Sequence, residues 1–597
     1  MNITPNKLTI AQLFATPNEQ FIVPSYQRRY AWGYNQYTAL YEDLDMLKDG
    51  DGHLFGTIIL HTLLHTGGIN KPELVDGQQR MTTLVILLKA FENVYRLKEK
   101  SQKADEIKKM CICRGLDEVE RPKLILGDLD NKDISNLILA NQIDTASNKK
   151  IIAAYESYFR WLSDLELDQL NRFFYKLTNV AVVIRLDVGM AQDAYKLFET
   201  INNRGLKLSP TDIIKNFLLG HAAKINQDQT LEKVKELWSN IIMDLDEIDT
   251  DDFLRQLICS LLHRKVTMTM LVPEFKKFYL KNIEKAELLG EFDYFSDDSG
   301  IEDDLDEVEL NERESTEEDS NIRTRISIIE LLQIIRTLAL SYRKITFEEF
   351  PRVKLNRRIG NLNKILSKPT YIFLMHFLKN DDYTEKTKLE VLKFLETLML
   401  RRHICERRTS ENDDIFSKLV PLIGDENILD KVKSHIIEQE YMPSDSEFEE
   451  SFSKHQFKGK LTDRAKYVLE TIEYFKRGNT EELVVASAHE VHLEHIIPQT
   501  IDTKKSKEEF GDWVTYLGDK SVIKHKKYVN YIGNMTLLGE ALNIQAYNNP
   551  FAKKKASYKK SNLLITSELG NQSDFKFTHI DKRGQQLTEI ALKIWTT

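Results

Sequence analysis

The residues Val491-His-Leu-Glu-His-Ile-Ile-Pro-Gln499 put a Glu-His pair, Glu494 and His495, at the end of a short apolar run that Pro498 stops. Downstream, Tyr531-Ile-Gly-Asn-Met-Thr-Leu-Leu538 and Leu542-Asn543 supply two asparagines, Asn534 and Asn543, the second in an expected helix. Cutting a phosphodiester needs a base to activate water and a divalent cation to hold the non-bridging and leaving oxygens. One imidazole, one carboxylate and amide oxygens suffice for a single hard cation. His492 is a further donor, for the metal or for a phosphate. A zinc-protease reading fails on spacing: His489-Glu490 is followed by Leu493 where a second histidine is required. A lone structural histidine capped by asparagines is the simpler alternative, and the ensemble outweighs it.

A second constellation lies near the N-terminus, in three clusters too polar for a core: Pro24-Ser-Tyr-Gln-Arg-Arg-Tyr-Ala-Trp32, Val75-Asp-Gly-Gln-Gln-Arg-Met-Thr-Thr83 and Asn202-Asn-Arg-Gly205. The middle one reads as a strand, Glu73-Leu-Val75, running through Asp76-Gly77 into a helix. Free N–H groups and the helix dipole favour an anion at such a turn. Gly77 lets backbone approach a phosphate, Arg80 reaches it with a charge-assisted fork, and Asp76 suits a magnesium ion bridging phosphates. Taken singly, Asp76-Gly77 is an ordinary turn, and Arg28, Arg29 and Arg80 are surface charges. Tyr26, Tyr30 and Trp32 read as partly core. No GxxxxGK[ST] loop exists anywhere in the chain.

The elements that must position these groups differ along the chain. Phe55–Leu60 and Val180–Leu186 are β-branched runs of strand length. Met81, Leu84, Val85, Leu87, Leu88 and Phe91 form one helical stripe, and Ala194, Leu197, Phe198 and Ile201 another that ends at Gly205. Ser209-Pro210-Thr211-Asp212 is a helix start. From Gln229 to Tyr474 the pattern is nearly all helical, and after Ala486 it returns to mixed α/β. The expected fold class is α+β, in three parts: 1–225, a helical region 226–480, and 481–597.

Composition is that of a globular protein, 42% hydrophobic and 29% charged. No apolar run is long enough to cross a bilayer, and the first residues lack a signal core. Four cysteines without a CxxC pair point to a reducing cytoplasm and away from structural zinc. The net charge is −9, but residues 291–319 hold fifteen acidic side chains and one basic one, which leaves +5 for the rest. That run reads as a solvated spacer or, more sharply, as a polyanion covering a basic groove. Lys553, Lys554, Lys555, Lys559 and Lys560 suit phosphate contacts. The basic knot Arg401, Arg402, His403, Arg407 and Arg408 reads equally as a phosphate contact, a contribution to the nucleotide site, or a charged helix end.

The C-terminal pattern resembles an HNH (His-Me finger) nuclease, ordered strand, loop, strand, helix. The turn Gly77-Gln78-Gln79-Arg80 resembles the phosphate site of the ParB/sulfiredoxin-like nucleotide-binding fold. With Gln27-Arg28-Arg29-Tyr30 and Asn202-Asn203-Arg204-Gly205, the chain resembles GmrSD-type, modification-dependent (type IV) restriction enzymes. The resemblance implies that His495 is the general base, that Glu494 and Asn543, with His492, bind the metal, and that Asn534 orients His495. It implies an NTP held by Gln27, Arg28, Arg29, Asp76, Gly77, Gln78, Gln79, Arg80, Asn202, Asn203 and Arg204. Mg2+ or another divalent cation and an NTP are the expected cofactors; modified phage DNA is the expected partner. The oligomeric state is open, with a homodimer among the candidates. The rival is an NTP-binding sensor of DNA modification whose nuclease is nucleotide-independent or inactive.

Overall fold

The computed structural model describes residues 3–48, 52–62, 65–143, 146–191, 193–195, 197, 209–225, 228–289, 325–478, 491–509 and 511–596. The acidic run 291–319, Asn202, Asn203, Arg204 and His489 lie outside them. The fold is α+β, and the chain divides into two compact units, Met1–Leu254 with Met268–Ala339, and Arg255–Thr267 with Leu340–Thr597.

The first unit is organised by a mixed sheet drawn from distant segments. Its strands are β1 (Ile3–Thr9), β2 (Phe21–Ile22), β3 (His53–His61), β4 (Glu73–Asp76), β5 (Leu124–Ile125) and β6 (Ala181–Val188), in spatial order β1-β6-β3-β4-β2-β5. β6 pairs antiparallel with β1, Ile3 opposite Val188, and parallel with β3. Its inward side chains, Ala181, Val183, Leu186 and Val188, change parity midway, next to a register shift between Val182 and Ile184, as an irregular pairing re-aims the pleat. The strand starts one residue later than its composition suggests, because Lys176–Val180 completes a π-helical turn.

Helix α1 (Gln78–Leu97) lies under this sheet. Met81, Leu84, Val85, Ile86, Leu87, Leu88, Phe91 and Val94 are all 0% exposed, so the helix is buried around most of its girth rather than along one stripe. Burying each such side chain contributes roughly 2 kcal/mol. That anchors the turn at its N-terminus. Helix α2 (Pro210–Lys224) starts as its sequence demands: Ser209 Oγ accepts from the Asp212 N–H, and proline fills the first turn.

The second unit is helical up to Arg477 among the described residues, with α3 (Glu385–Ile404) and α4 (Thr462–Lys476) as long members. Beyond come β7 (Val491–His495), α5 (Ser521–Tyr528), β8 (Met535–Gly539), α6 (Glu540–Ala546), α7 (Phe551–Lys559) and α8 (Phe577–Ile594). Ile496, Ile497, Trp513, Leu538, Phe551, Tyr558 and Phe575 form their shared core.

The first two arginines of the basic knot at the end of α3 are turned inward and do not face solvent, whereas Arg407 and Arg408 are exposed. Arg401 is 0% exposed and donates to the carbonyls of Trp595 and Pro443 and to Asp445, while Arg402 donates to Asn412, Glu411 and the Tyr441 carbonyl. Both guanidiniums tie distant segments of this unit together.

Two imidazoles of this unit are held neutral by burial: His376 is pushed down to about 4 and His403 to about 3, the latter also by Arg464. A histidine whose folded pKa is depressed contributes stability that is fully present above its unfolded value and is lost as pH falls towards the folded one. The thermal midpoint is therefore expected to fall between pH 6.5 and 5. His376→Gln and His403→Gln should flatten that slope, and an unchanged slope in both variants would assign the acid sensitivity elsewhere.

Candidate functional site

β7 and β8 form a two-stranded antiparallel ribbon with Glu494 opposite Thr536 and His495 opposite Met535. Alternation along β7 puts His492 and Glu494 on one face and His495 on the other, at the strand's end. β8 passes through Gly539 directly into α6, which carries Asn543.

Asn534 is fully buried and clamps the turn after His495. Its carbonyl accepts from Ile496 N–H at 2.9 Å and its Oδ1 from Ile497 N–H at 2.8 Å. Its Nδ2 donates to the carbonyls of Ile497 and Val529. These bonds fix the backbone on which the imidazole sits. Two other amides meet the imidazole itself: Asn530, whose side chain is hydrogen-bonded to His495 and whose carbonyl accepts from Phe457 N–H at 3.0 Å, and Gln499, whose Nε2 lies 3.5 Å from His495 Nε2. Asn530 escaped the sequence reading, although it lies in the same Tyr528–Asn534 segment. Gly533 is needed for closeness, since a Cβ there would collide with the Ile580 carbonyl.

His495 is 9% exposed, and burial, helped by the Lys554 charge, lowers its pKa to about 4. The ring is thus tuned well below its free value rather than left near it, and it stands neutral at pH 7. Glu494 is 8% exposed. Its Oε1 accepts from Lys554 Nζ at 2.6 Å and from Tyr558 OH at 3.2 Å, and the same ammonium donates to the His495 carbonyl at 2.8 Å. Burial pushes the carboxyl up and the ammonium down, each opposed by the other's charge. Lys554, expected among the phosphate contacts, is 1% exposed and faces inward, whereas Lys553, Lys559 and Lys560 face solvent.

A cation at this ribbon would draw on Glu494, Asn543 and His492. Two of the three fit that use: Asn543 Oδ1 and His492 Nε2 are buried atoms without a hydrogen-bond partner, and such atoms are costly unless something meets them. Glu494 offers its second oxygen, Oε1 being engaged. Among the described residues no three His, Cys, Asp or Glu side chains group around one point, so the amide of Asn543 is needed to complete the set.

In the first unit, Gly77 takes φ +94°, a left-handed conformation that lets β4 turn into α1. Asp76 and Arg80 pair one turn apart at 3.4 Å, and Arg80 Nη1 also donates to the Phe55 carbonyl. Burial raises the Asp76 pKa, partly offset by Arg80. The Gln78 Oε1 is buried without a partner. Gln79 links back to the first cluster, accepting from Ala31 N–H and donating to the Arg29 carbonyl. Gln27, Arg28, Arg29, Gln78 and Gln79 share the wall of one small cavity. Beside it, Arg28, Arg29, Lys149, Lys150, Ser209 and Thr211 border a groove of about 480 Å³. Asp76 and Arg80 do not line that groove. Arg29 is held by Asp130 and Asp246.

Sequence reasoning missed two groups here, Asp212 and Lys215 on α2. Lys215 Nζ donates to Gln27 Oε1 at 2.5 Å and to Asp212 Oδ1 at 3.1 Å, and Asp212 lies 3.7 Å from Arg28. Although burial opposes its charge, Lys215 and Arg28 hold the Asp212 carboxyl below its ordinary value. The available signal was a charged pair three residues apart within an otherwise apolar helix.

One unit thus carries a strand–turn–helix with a charged surround, the other two paired strands joined through a helical connection and followed by a helix, with a buried histidine at the first strand's end. Residues 10–219 match the family described as GmrSD restriction endonuclease, N-terminal domain, and residues 442–590 match GmrSD restriction endonucleases, C-terminal domain. Together the two matches span more than half of the chain, and the chain belongs to the GmrSD restriction endonucleases. Membership carries a nuclease role in restriction. The C-terminal match includes α4, which packs ahead of the ribbon and donates from Lys466 to the Val491 carbonyl. No curated protein matches the chain. Among the described residues, no helix is long and apolar enough to cross a membrane.

Proposed function

We propose that this chain is a DNA endonuclease acting on modified phage DNA, with an HNH-type site at the β7–β8 ribbon and an NTP-regulated N-terminal unit. The observation that carries it is the paired orphaning of Asn543 Oδ1 and His492 Nε2 beside the Glu494-His495 dipeptide. His495, neutral and bonded to Asn530, takes the proton of the attacking water. Asn534 and Lys554 hold the backbone at and beyond His495, so the ring keeps its aim as the proton moves. When bound by Glu494, Asn543 and His492, a divalent cation such as Mg2+ would polarise the phosphate and offset charge on the leaving oxygen.

Support for the nucleotide reading is the left-handed Gly77 turn at the N-terminus of a buried helix and the unpartnered Gln78 Oε1, an acceptor for a base or ribose donor. The adjoining groove lies within the size range of small-molecule sites. Arg28, Lys149 and Lys150 would meet phosphates there, and Asp251 on the same wall would face a phosphate-bound cation. The rival reading, a sensor with a nucleotide-independent or inactive nuclease, predicts a different response to nucleotide.

Nicking of plain and modified plasmid DNA, with Mg2+ or chelator and with or without each NTP, tests the proposal. Cutting is expected only with Mg2+, and at a rate that one NTP changes at least several-fold. Cutting in chelator would overturn the cation, and an identical rate with every NTP and with none would leave the rival.

A further inference from the structure

Lys554 lies where a buried lysine has no solubility role. A charge taken out of water costs several kcal/mol unless a partner compensates it, and here the partner is the one carboxylate among the candidate metal ligands. Glu494 and Lys554 share a hydrogen bond at 2.6 Å, and the ammonium side chain is 1% exposed. Whichever of the two holds the proton, the pair sums to no net charge. Asn543 adds none. A dication entering this site in the free protein therefore meets no excess negative charge from the pair, the reverse of the multi-carboxylate sites that hold hard cations tightly. A phosphodiester at the ribbon changes that balance by bringing its own negative charge.

We infer that the Glu494–Lys554 pair keeps the nuclease site charge-neutral until DNA arrives, so that the divalent cation and DNA bind together and the free protein holds the cation weakly. The inference rests on the proposed nuclease reading and adds a condition to it. Lys554 acts here as an internal cation: it stabilises the buried Glu494 carboxylate while the site is empty and fixes the His495 carbonyl at the same time. Tyr558 supplies a second, uncharged bond to Glu494, so the carboxylate keeps one partner when a cation competes with the ammonium. The design costs affinity and gains restraint: a nuclease that holds its metal only weakly on its own is held back until DNA is present.

The test uses the full-length chain carrying His495→Ala, so that DNA survives, and reads Mn2+ binding by electron paramagnetic resonance, with binding to DNA alone subtracted. Adding a short duplex that the parent protein cuts is expected to tighten Mn2+ at least tenfold. Lys554→Gln, which keeps a hydrogen-bond donor without the charge, should tighten Mn2+ in the DNA-free protein at least tenfold and shrink the effect of DNA. Equal Mn2+ affinity with and without DNA overturns the inference on the parent protein alone, whether or not the Lys554 variant folds. A folded Lys554→Gln that binds Mn2+ no tighter overturns it as well. Glu494→Gln separates the two levels: if Mn2+ still binds beside DNA as in the parent, Glu494 is no ligand and the metal-site reading itself fails.

Discussion

His495→Ala is expected to lower DNA cleavage by about 10²–10⁴-fold, the range for loss of a positioned general base, while leaving NTP turnover unchanged. The fold should survive, because the bonds that hold this position run through its backbone: Lys554 binds the His495 carbonyl, and Asn534 binds the two following residues. The turn at Asp76-Gly77 belongs to the other compact unit, so this ring is not among the groups expected to act on the nucleotide. Asn530→Ala, which removes one amide from the imidazole but leaves Gln499 and the base, should cost less than His495→Ala and act on kcat rather than on the metal requirement. Plasmid nicking, phosphate release and a circular-dichroism melt on the same preparations check all three statements. A His495→Ala protein that is folded and nicks at the parent rate would remove this residue from the mechanism.

What the sequence disclosed was local. The strand from Glu73 through Asp76-Gly77 into α1 was legible because a β-branched run, a left-handed turn residue and a helical stripe follow each other without a gap. The Ser209-Pro210 helix start was legible for the same reason. Misread groups are those whose partners come from far along the chain. Arg401 looks like a surface charge until the Trp595 carbonyl arrives from α8's end. Lys554 was read with its neighbours as one cluster of phosphate contacts, yet Phe551, Lys554 and Tyr558 recur at helical spacing and share the buried face of α7. That periodicity was present in the sequence, but a lysine on an apolar stripe reads as an interruption until a carboxylate is known to lie opposite. Asn530 was hidden by a better-looking neighbour: Asn534 follows a glycine and precedes a strand, which drew the orienting role to it, while a partner of the imidazole itself sits four residues earlier.

Arg80→Ala and Asp76→Ala are each expected to reduce NTP hydrolysis to background while DNA binding persists. Arg80 brings a guanidinium to the first turn of a helix whose N–H groups already favour an anion, and a fork to phosphate is among the stronger single contacts a side chain makes. Asp76 is the acid at the same turn, raised in pKa by burial, and a cation bridging phosphates would replace the charge Arg80 now supplies. Both side chains keep partial exposure, 16% for Asp76 and 26% for Arg80, so truncating either need not strand a fully buried charge. Lys215 is the less informative choice for this test. It is almost wholly buried against Asp212, and removing it leaves that carboxylate only the more distant Arg28 as a charged partner, at a cost of up to about 3–5 kcal/mol, enough to confuse lost folding with lost chemistry. Phosphate release from each NTP, read beside the thermal midpoint, decides the matter. If Arg80→Ala and Asp76→Ala both stay folded and hydrolyse at the parent rate, the turn is not the phosphate site, and the groove bordered by Arg28 and Lys150 becomes the place to look.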